Sequence, residues 1–288
     1  MLPPFRRFLL YKPAWLVERG RKTNSNNLFY FETVKIFIRI LQIIYCVYAL
    51  LVFVGLMIIV FVFIPFFFLF GKIRAGNLVY RICRIWATIW YFLIGISHKE
   101  IYESPHDKSR QYIFVANHSS YMDVPNVVMC LHQPLRVLGK YEMVKYPVFG
   151  LIYRSAAILV DRRDPEHRAQ SLRALRAAIA RGISIFIFPE GTFNETNKPL
   201  KDFYDGAFRI AAETQTPIKP ILFVDCLDRL HWRSIFSLNP GVCRSVFLEE
   251  IDVQGFTTTK EDTERLKAIV YCKMEEGLKR YRRYMPQP

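Results

Sequence analysis

A histidine and an aspartate five residues apart, in Asn117-His118-Ser119-Ser120-Tyr121-Met122-Asp123, are the residues around which the chemistry of this chain can be built. An imidazole with an ordinary pKa of about 6.5 can take the proton of a hydroxyl, and a carboxylate on its other ring nitrogen holds the tautomer that leaves an acceptor facing the substrate. His118 is thus a candidate general base and Asp123 its orienter. With an activated acyl group nearby, the freed alcohol would attack the carbonyl directly. There is no Gly-x-Ser-x-Gly elbow, so a serine acyl-enzyme has no support beyond the proximity of Ser119 and Ser120. The structural alternative is that His118 only ties two loops together.

The pair needs elements to position it. Tyr112–Val115 is a short apolar, β-branched and aromatic run that predicts a buried strand, and Val124–Leu131 predicts a short helix. His118 would leave the strand in a loop, with Asp123 near the first helical turn, where unpaired N–H groups favour a carboxylate. Ile185-Phe186-Ile187-Phe188 repeats the strand pattern and enters Pro189-Glu190-Gly191-Thr192. Ala157-Ile158-Leu159-Val160 runs into Asp161-Arg162-Arg163, and Pro217-Ile218-Lys219-Pro220 opens a further strand. Strand ends that deliver polar groups are how open α/β sheets build sites.

These four blocks, in this order, resemble those of the lysophosphatidic acid acyltransferase family: Asn-His-x4-Asp, a strand ending in Asp-Arg, Phe-Pro-Glu-Gly-Thr-Arg and a Pro-Ile-x-Pro segment. Lys140-Tyr141-Glu142-Met143 and Pro147-Val148-Phe149-Gly150 are similar to the family's linker, so the resemblance covers roughly Tyr112 to Phe223. It implies an O-acyltransferase that moves a fatty acyl group from acyl-CoA or acyl carrier protein to 1-acylglycerol-3-phosphate, with the thioester as substrate and no cofactor or metal. Another lysophospholipid or a lyso-aminolipid is the alternative acceptor. On this reading His118 and Asp123 are catalytic, and Glu190, Gly191 and Thr192 form the opposite wall, with a side-chain acceptor and backbone N–H groups. Arg162 would hold phosphate with its paired donors, with Arg163 and Lys140 as further cations. Phe193 departs from the family pattern, which has an arginine after Gly-Thr.

The net charge of +15 is uneven: residues 1–100 carry 13 Lys+Arg against 3 Asp+Glu, whereas residues 183–288 carry 15 of each. Basic residues that flank an apolar segment suit anionic lipid headgroups rather than nucleic acid, and no nucleic-acid partner is expected. A non-enzymatic alternative is a basic membrane- or nucleic-acid-binding module, which would have no use for His118 and Asp123. Leu41–Phe70 is thirty residues without a charge. As one helix it would reach about 45 Å, more than a bilayer core of roughly 30 Å, so it should tilt, or break near Gly55 or Pro65. Lys35 and Arg39 before it and Lys72 and Arg74 after it give no asymmetry for orientation. Val79–Ile96, with Trp86, Trp90, Tyr91 and Phe92, reads as an interfacial helix, the alternative being a core helix.

The expected fold is α/β, a central sheet flanked by helices, with strands at 112–115, 135–138, 157–160, 183–188, 218–224 and 245–251. Helices are predicted from Pro165 to about Arg181 and from Lys260 to about Tyr284. Residues 1–98 would be a basic arm, including Phe5–Leu10 with Trp15 and Leu16, plus membrane-associating helices; residues 99–288 would be the acyltransferase domain. The six cysteines form no CxxC pair, which suggests neither a disulfide framework nor a zinc site. The first forty residues lack the early apolar core and small-residue cleavage site of a cleavable signal, so the catalytic part is expected on the cytoplasmic face of a membrane, with a bacterial inner membrane as the expected one.

Overall fold

The computed structural model describes residues 25–161 and 163–282. Its elements in chain order are α1 (Ser25–Phe68), α2 (Lys72–Leu93), β1 (Ile96–Tyr102), β2 (Ile113–Ala116), α3 (Asp123–Cys130), β3 (Leu135–Lys140), α4 (Pro147–Ala156), β4 (Ala157–Val160), α5 (Pro165–Ile179), β5 (Ser184–Ile187), α6 (Gly206–Thr214), β6 (Ile218–Phe223), α7 (Cys226–Arg229), β7 (Gly241–Phe247) and α8 (Lys260–Tyr281). The seven strands form one sheet in the order β1-β7-β6-β2-β5-β3-β4. Only the β6–β7 pairing is antiparallel. The carboxyl ends of β2 to β6 therefore share one edge, and the loops that leave them converge there.

Central strands with both faces covered must be apolar on both. Alternate residues go to opposite layers: Phe114, Phe186, Phe223 and Phe247 pack under α2 and α3. Ile113, Val115, Ile185 and Ile187 pack under α5, α6 and α8. Two helices begin as the residue types dictate. The Asp164 side chain accepts from the Glu166 N–H with Pro165 at the first position of α5, and Thr259 accepts from the Asp262 N–H at the start of α8.

In the amino-terminal third the apolar stretch takes the unbroken of its two expected forms. α1 runs unbroken through Gly55 and Pro65, and the chain first turns at Leu69–Gly71, so α1 and α2 form a helical hairpin. Of the four rings named in Val79–Ile96 the structure buries three and leaves Phe92 81% exposed, so α2 is a core helix along one face and an open, apolar one along the other. Trp86, Trp90 and Tyr91 are all buried, because they are the layer between α1 and the sheet. Phe53 meets the rings of Trp86 and Trp90 edge-on at 4.9 and 5.1 Å, and the Trp90 indole N–H donates to Ala49 O at 2.9 Å. Aromatic rings with a polar tip serve a hairpin interface as well as a headgroup layer. The expected boundary at residue 99 falls inside β1, which pairs with β7 from Ile96 onward; β1 itself was not foreseen, because Ser-His-Lys-Glu interrupts its apolar pattern. β7 starts at Gly241 and ends at Phe247, shifted toward the amino terminus relative to 245–251.

Within α1 the segment Thr33–Phe68 is long and apolar enough to cross a membrane. One side is buried on the hairpin partner through Cys46, Ala49, Met57, Val60 and Ile64, while Ile44, Leu51 and Ile59 on the other side are more than half exposed. The expected surface-seeking residues Phe5–Leu10, Trp15 and Leu16 lie outside the described residues.

Candidate active site

At the end of β2, Asn117 bonds across to β6 twice: its side-chain N–H donates to Phe223 O at 3.0 Å and its Oδ1 accepts from the Phe223 N–H at 2.8 Å. His118 then leaves the sheet with both backbone groups engaged. Its N–H donates to Glu190 Oε1 at 2.8 Å, and its carbonyl accepts from the Asn194 N–H at 2.7 Å. The imidazole Nδ1 lies 2.8 Å from Asp123 Oδ2. Because a carboxylate only accepts, Nδ1 carries the hydrogen and Nε2 is left as the acceptor. The ring stacks on Phe188 at 3.9 Å with planes 12° apart, and Phe193 meets it edge-on at 4.5 Å. Its side chain keeps 15% exposure while that of Asp123 has none. The imidazole is fixed on one edge and two faces, with its remaining edge open.

Asp123 is the first residue of α3, and its Oδ2 also accepts from the Ser119 and Ser120 N–H groups at 2.7 and 2.8 Å. The loop 118–123 is thus closed on the carboxylate that orients the histidine, which is why the spacing must be short. The Ser120 hydroxyl donates to Leu230 O at 2.5 Å and accepts from the Met122 N–H at 3.0 Å. Its bonding holds the loop, which is a structural use for the hydroxyl.

Glu190 has a different role from the expected substrate contact. It is fully buried, and while Oε1 holds His118, Oε2 accepts from the Lys201 N–H at 2.9 Å. Burial pushes its carboxyl up to about 8, against the pull of those two backbone donors. It is a brace between two loops. Gly191 takes φ +76°, the region that favours glycine, and its N–H closes the turn onto Phe188 O at 3.0 Å. The expected use of that N–H toward substrate is therefore replaced by a turn bond. Thr192 is exposed, and its Oγ1 accepts from Lys201 Nζ at 2.8 Å. Phe193 packs edge-on against the half-exposed Tyr121 at 4.8 Å, so aromatic rings line the mouth beside His118.

Two of the expected cations, Lys140 and Arg163, are held by acids outside this group. Lys140 ends β3, which β5 separates from β2, so it starts about 10 Å away across two strand spacings. Its ammonium lies 3.5 Å from Glu142. Arg163 pairs with Glu142 at 3.5 Å and Asp161 at 3.4 Å. Arg162 lies outside the described residues. Sequence reasoning missed Lys201 and Asn194. Lys201 is ten residues beyond Gly191 in a stretch without periodicity; the only available signal was that Lys198 and Lys201 are the cations between the Gly-Thr turn and α6. Asn194 sits in an Asx turn, with Oδ1 accepting from the Thr196 N–H at 3.0 Å. Among the described residues there is no group of three or more His, Cys, Asp or Glu side chains that could hold a metal ion.

A family model described as Acyltransferase matches residues 97–224. The chain is 32% identical over 196 residues to a 1-acyl-sn-glycerol-3-phosphate acyltransferase of Limnanthes alba, covering 66% of each chain. It is 28% identical over 171 residues to the Salmonella typhimurium protein of the same name, covering 58% of this chain and 66% of that one. The chain thus spans just under two thirds of the length of these relatives. In three dimensions it is similar to the crystal structure of the 1-acyl-sn-glycerophosphate (LPA) acyltransferase PlsC from Thermotoga maritima, with TM-score 0.59, 22% identity, and coverage of 82% of this chain and 97% of that one.

Proposed function

Because this chain belongs to the lysophosphatidic acid acyltransferase family, we propose that it transfers a fatty acyl group from a thioester, of coenzyme A or acyl carrier protein, to the free hydroxyl of 1-acylglycerol-3-phosphate. The observation that carries the mechanism is the His118–Asp123 pair at 2.8 Å, with the carboxylate buried and the imidazole partly exposed. His118 Nε2 takes the acceptor hydroxyl's proton as its oxygen attacks the thioester carbonyl. Asp123 holds the imidazolium that forms. The tetrahedral intermediate then expels the thiolate, which takes the proton back from Nε2, so the base ends as it began. Asp123, itself held by two backbone donors, the stacked Phe188 and the edge-on Phe193 keep the ring in place through both transfers. Such fixed geometry is where most of an enzyme's rate advantage over solution resides.

The long apolar helix α1 would keep the site at a bilayer, where both the lysolipid and its product reside. We take the catalytic domain to face the cytoplasm, the compartment that supplies acyl thioesters. A second reading, with a zwitterionic lysophospholipid or a lyso-aminolipid as acceptor, is favoured by Phe193, which puts an uncharged ring where the family has an arginine.

The test is purified full-length protein in mixed micelles with acyl-CoA or acyl carrier protein thioester and each acceptor, with product read by mass. The phosphate-bearing lysolipid should be acylated. His118→Ala should lose roughly 10²–10⁴-fold or more in kcat and Asp123→Asn a large part of that, as expected on removing a general base or its orienter. Near-normal turnover by His118→Ala would refute the mechanism. Release of free fatty acid without diacyl product would make the chain a thioesterase instead.

A further inference from the structure

We infer that Lys201 is the cation that reads the acceptor's phosphate, standing in for the arginine that Phe193 replaces; the inference rests on the acyltransferase reading above. The loop that leaves β5 turns at Gly191, passes Thr192 and Phe193, and comes back to bring Lys201 beside the turn. The Lys201 ammonium ends 2.8 Å from Thr192 Oγ1, one residue from the ring that touches His118 at 4.5 Å. In the acceptor the attacking hydroxyl and the phosphate are separated by only a few bonds. A cation that binds the phosphate must therefore lie close to the base. Lys201 is tied to the same buried carboxylate as His118, whereas Lys140 pairs with Glu142 and Arg163 with Glu142 and Asp161; Arg162 lies outside the described residues.

The placement is built. The Lys201 backbone N–H donates to Glu190 Oε2, while the other oxygen of the same buried carboxylate takes the His118 N–H. One side chain thus sets the distance between the loop carrying the base and the loop carrying the cation. Asn194 adds a second tie, since its N–H donates to His118 O at 2.7 Å and its side-chain N–H to Lys198 O at 2.9 Å. The Nζ itself is held by a hydroxyl, which can yield to a phosphate oxygen without stranding a buried charge. Thr192 Oγ1, then released, can donate to the same phosphate.

The experiment compares full-length wild type, Lys201→Met and Lys201→Arg, using lysophosphatidate and the neutral monoacylglycerol of the same chain length as acceptors and acyl-CoA as donor. Loss of one charge-assisted contact corresponds to roughly ten- to hundredfold in affinity. Lys201→Met should raise the KM for lysophosphatidate by about that factor and leave the KM for acyl-CoA and the use of monoacylglycerol within a few-fold, and Lys201→Arg should recover most of the loss. An equal loss on both acceptors, or no change on either, overturns the inference while leaving the acyltransferase reading intact. Failure of the wild type to acylate lysophosphatidate would overturn both.

Discussion

Replacing Glu190 by glutamine tests the brace on which the site's geometry depends. The side chain is fully buried and each oxygen holds a backbone N–H from a different loop. Glutamine has the same shape but offers one acceptor in place of two, so one N–H, of His118 or of Lys201, loses its partner. Leaving a buried donor unsatisfied costs about 1–3 kcal/mol. The carboxyl also titrates differently in the two states. Its ordinary value of 4.5 is raised to about 8 in the folded chain, chiefly by burial. In the window between those values the native state holds a proton that the unfolded state has released. Stability from this group is therefore fully present below about pH 4.5 and is lost as pH rises through about 8. At about 1.4 kcal/mol per unit, the whole window amounts to about 5 kcal/mol. Glutamine carries no such dependence.

Thermal unfolding of both proteins in detergent micelles between about pH 5 and 9 measures the two effects together. At the acid end the variant should melt lower, with roughly 2–4 °C lost per kcal/mol in a domain of this size. With rising pH the wild type should lose its advantage: about 1–3 kcal/mol at about 1.4 kcal/mol per unit is used up within roughly two units of pH 4.5, so the curves should cross between about pH 5 and 7, and by about pH 8 the variant should be the more stable. Using the difference between the two proteins cancels the titration of every other carboxylate. A constant gap across the range would show that Glu190 does not bind its proton in this window. Coincident melting at all pH values would show that neither backbone bond contributes.

Asn117→Ala removes both bonds to Phe223 and leaves that residue's buried N–H and C=O unmatched. It should destabilise by roughly 2–4 kcal/mol; denaturant unfolding that differs from wild type by less than about 0.5 kcal/mol would contradict the assignment. A chain beginning at Lys99 loses α1, α2 and the start of β1, uncovering Phe114, Phe223 and Phe247. It should aggregate rather than dissolve as a free catalytic domain, and a monodisperse fragment with a cooperative melt would refute this.

The sequence by itself determined the strands whose both faces are buried and the polar blocks at their ends. Continuous apolar runs such as Ile113-Phe114-Val115 and Ile185-Phe186-Ile187 have few alternatives to a central strand. The His118–Asp123 pairing was also legible, because a loop that returns to the first turn of its own helix is local. What was not legible depended on contacts distant in the chain. β1 carries Ser97, His98, Lys99 and Glu100 through an edge strand, where one ladder partner, β7, suffices and no apolar pattern is required. The rings of α2 read first as headgroup-seeking, and the hairpin with α1 buried three of the four, Trp86, Trp90 and Tyr91. Glu190 has the residue type of a substrate contact, yet the loop to Lys201 closes over it and makes it a brace. Lys201 became a candidate only because that same loop folds back ten residues after its turn, and folding back is a property of the loop's hydrogen bonds in three dimensions, which no spacing in the sequence encodes.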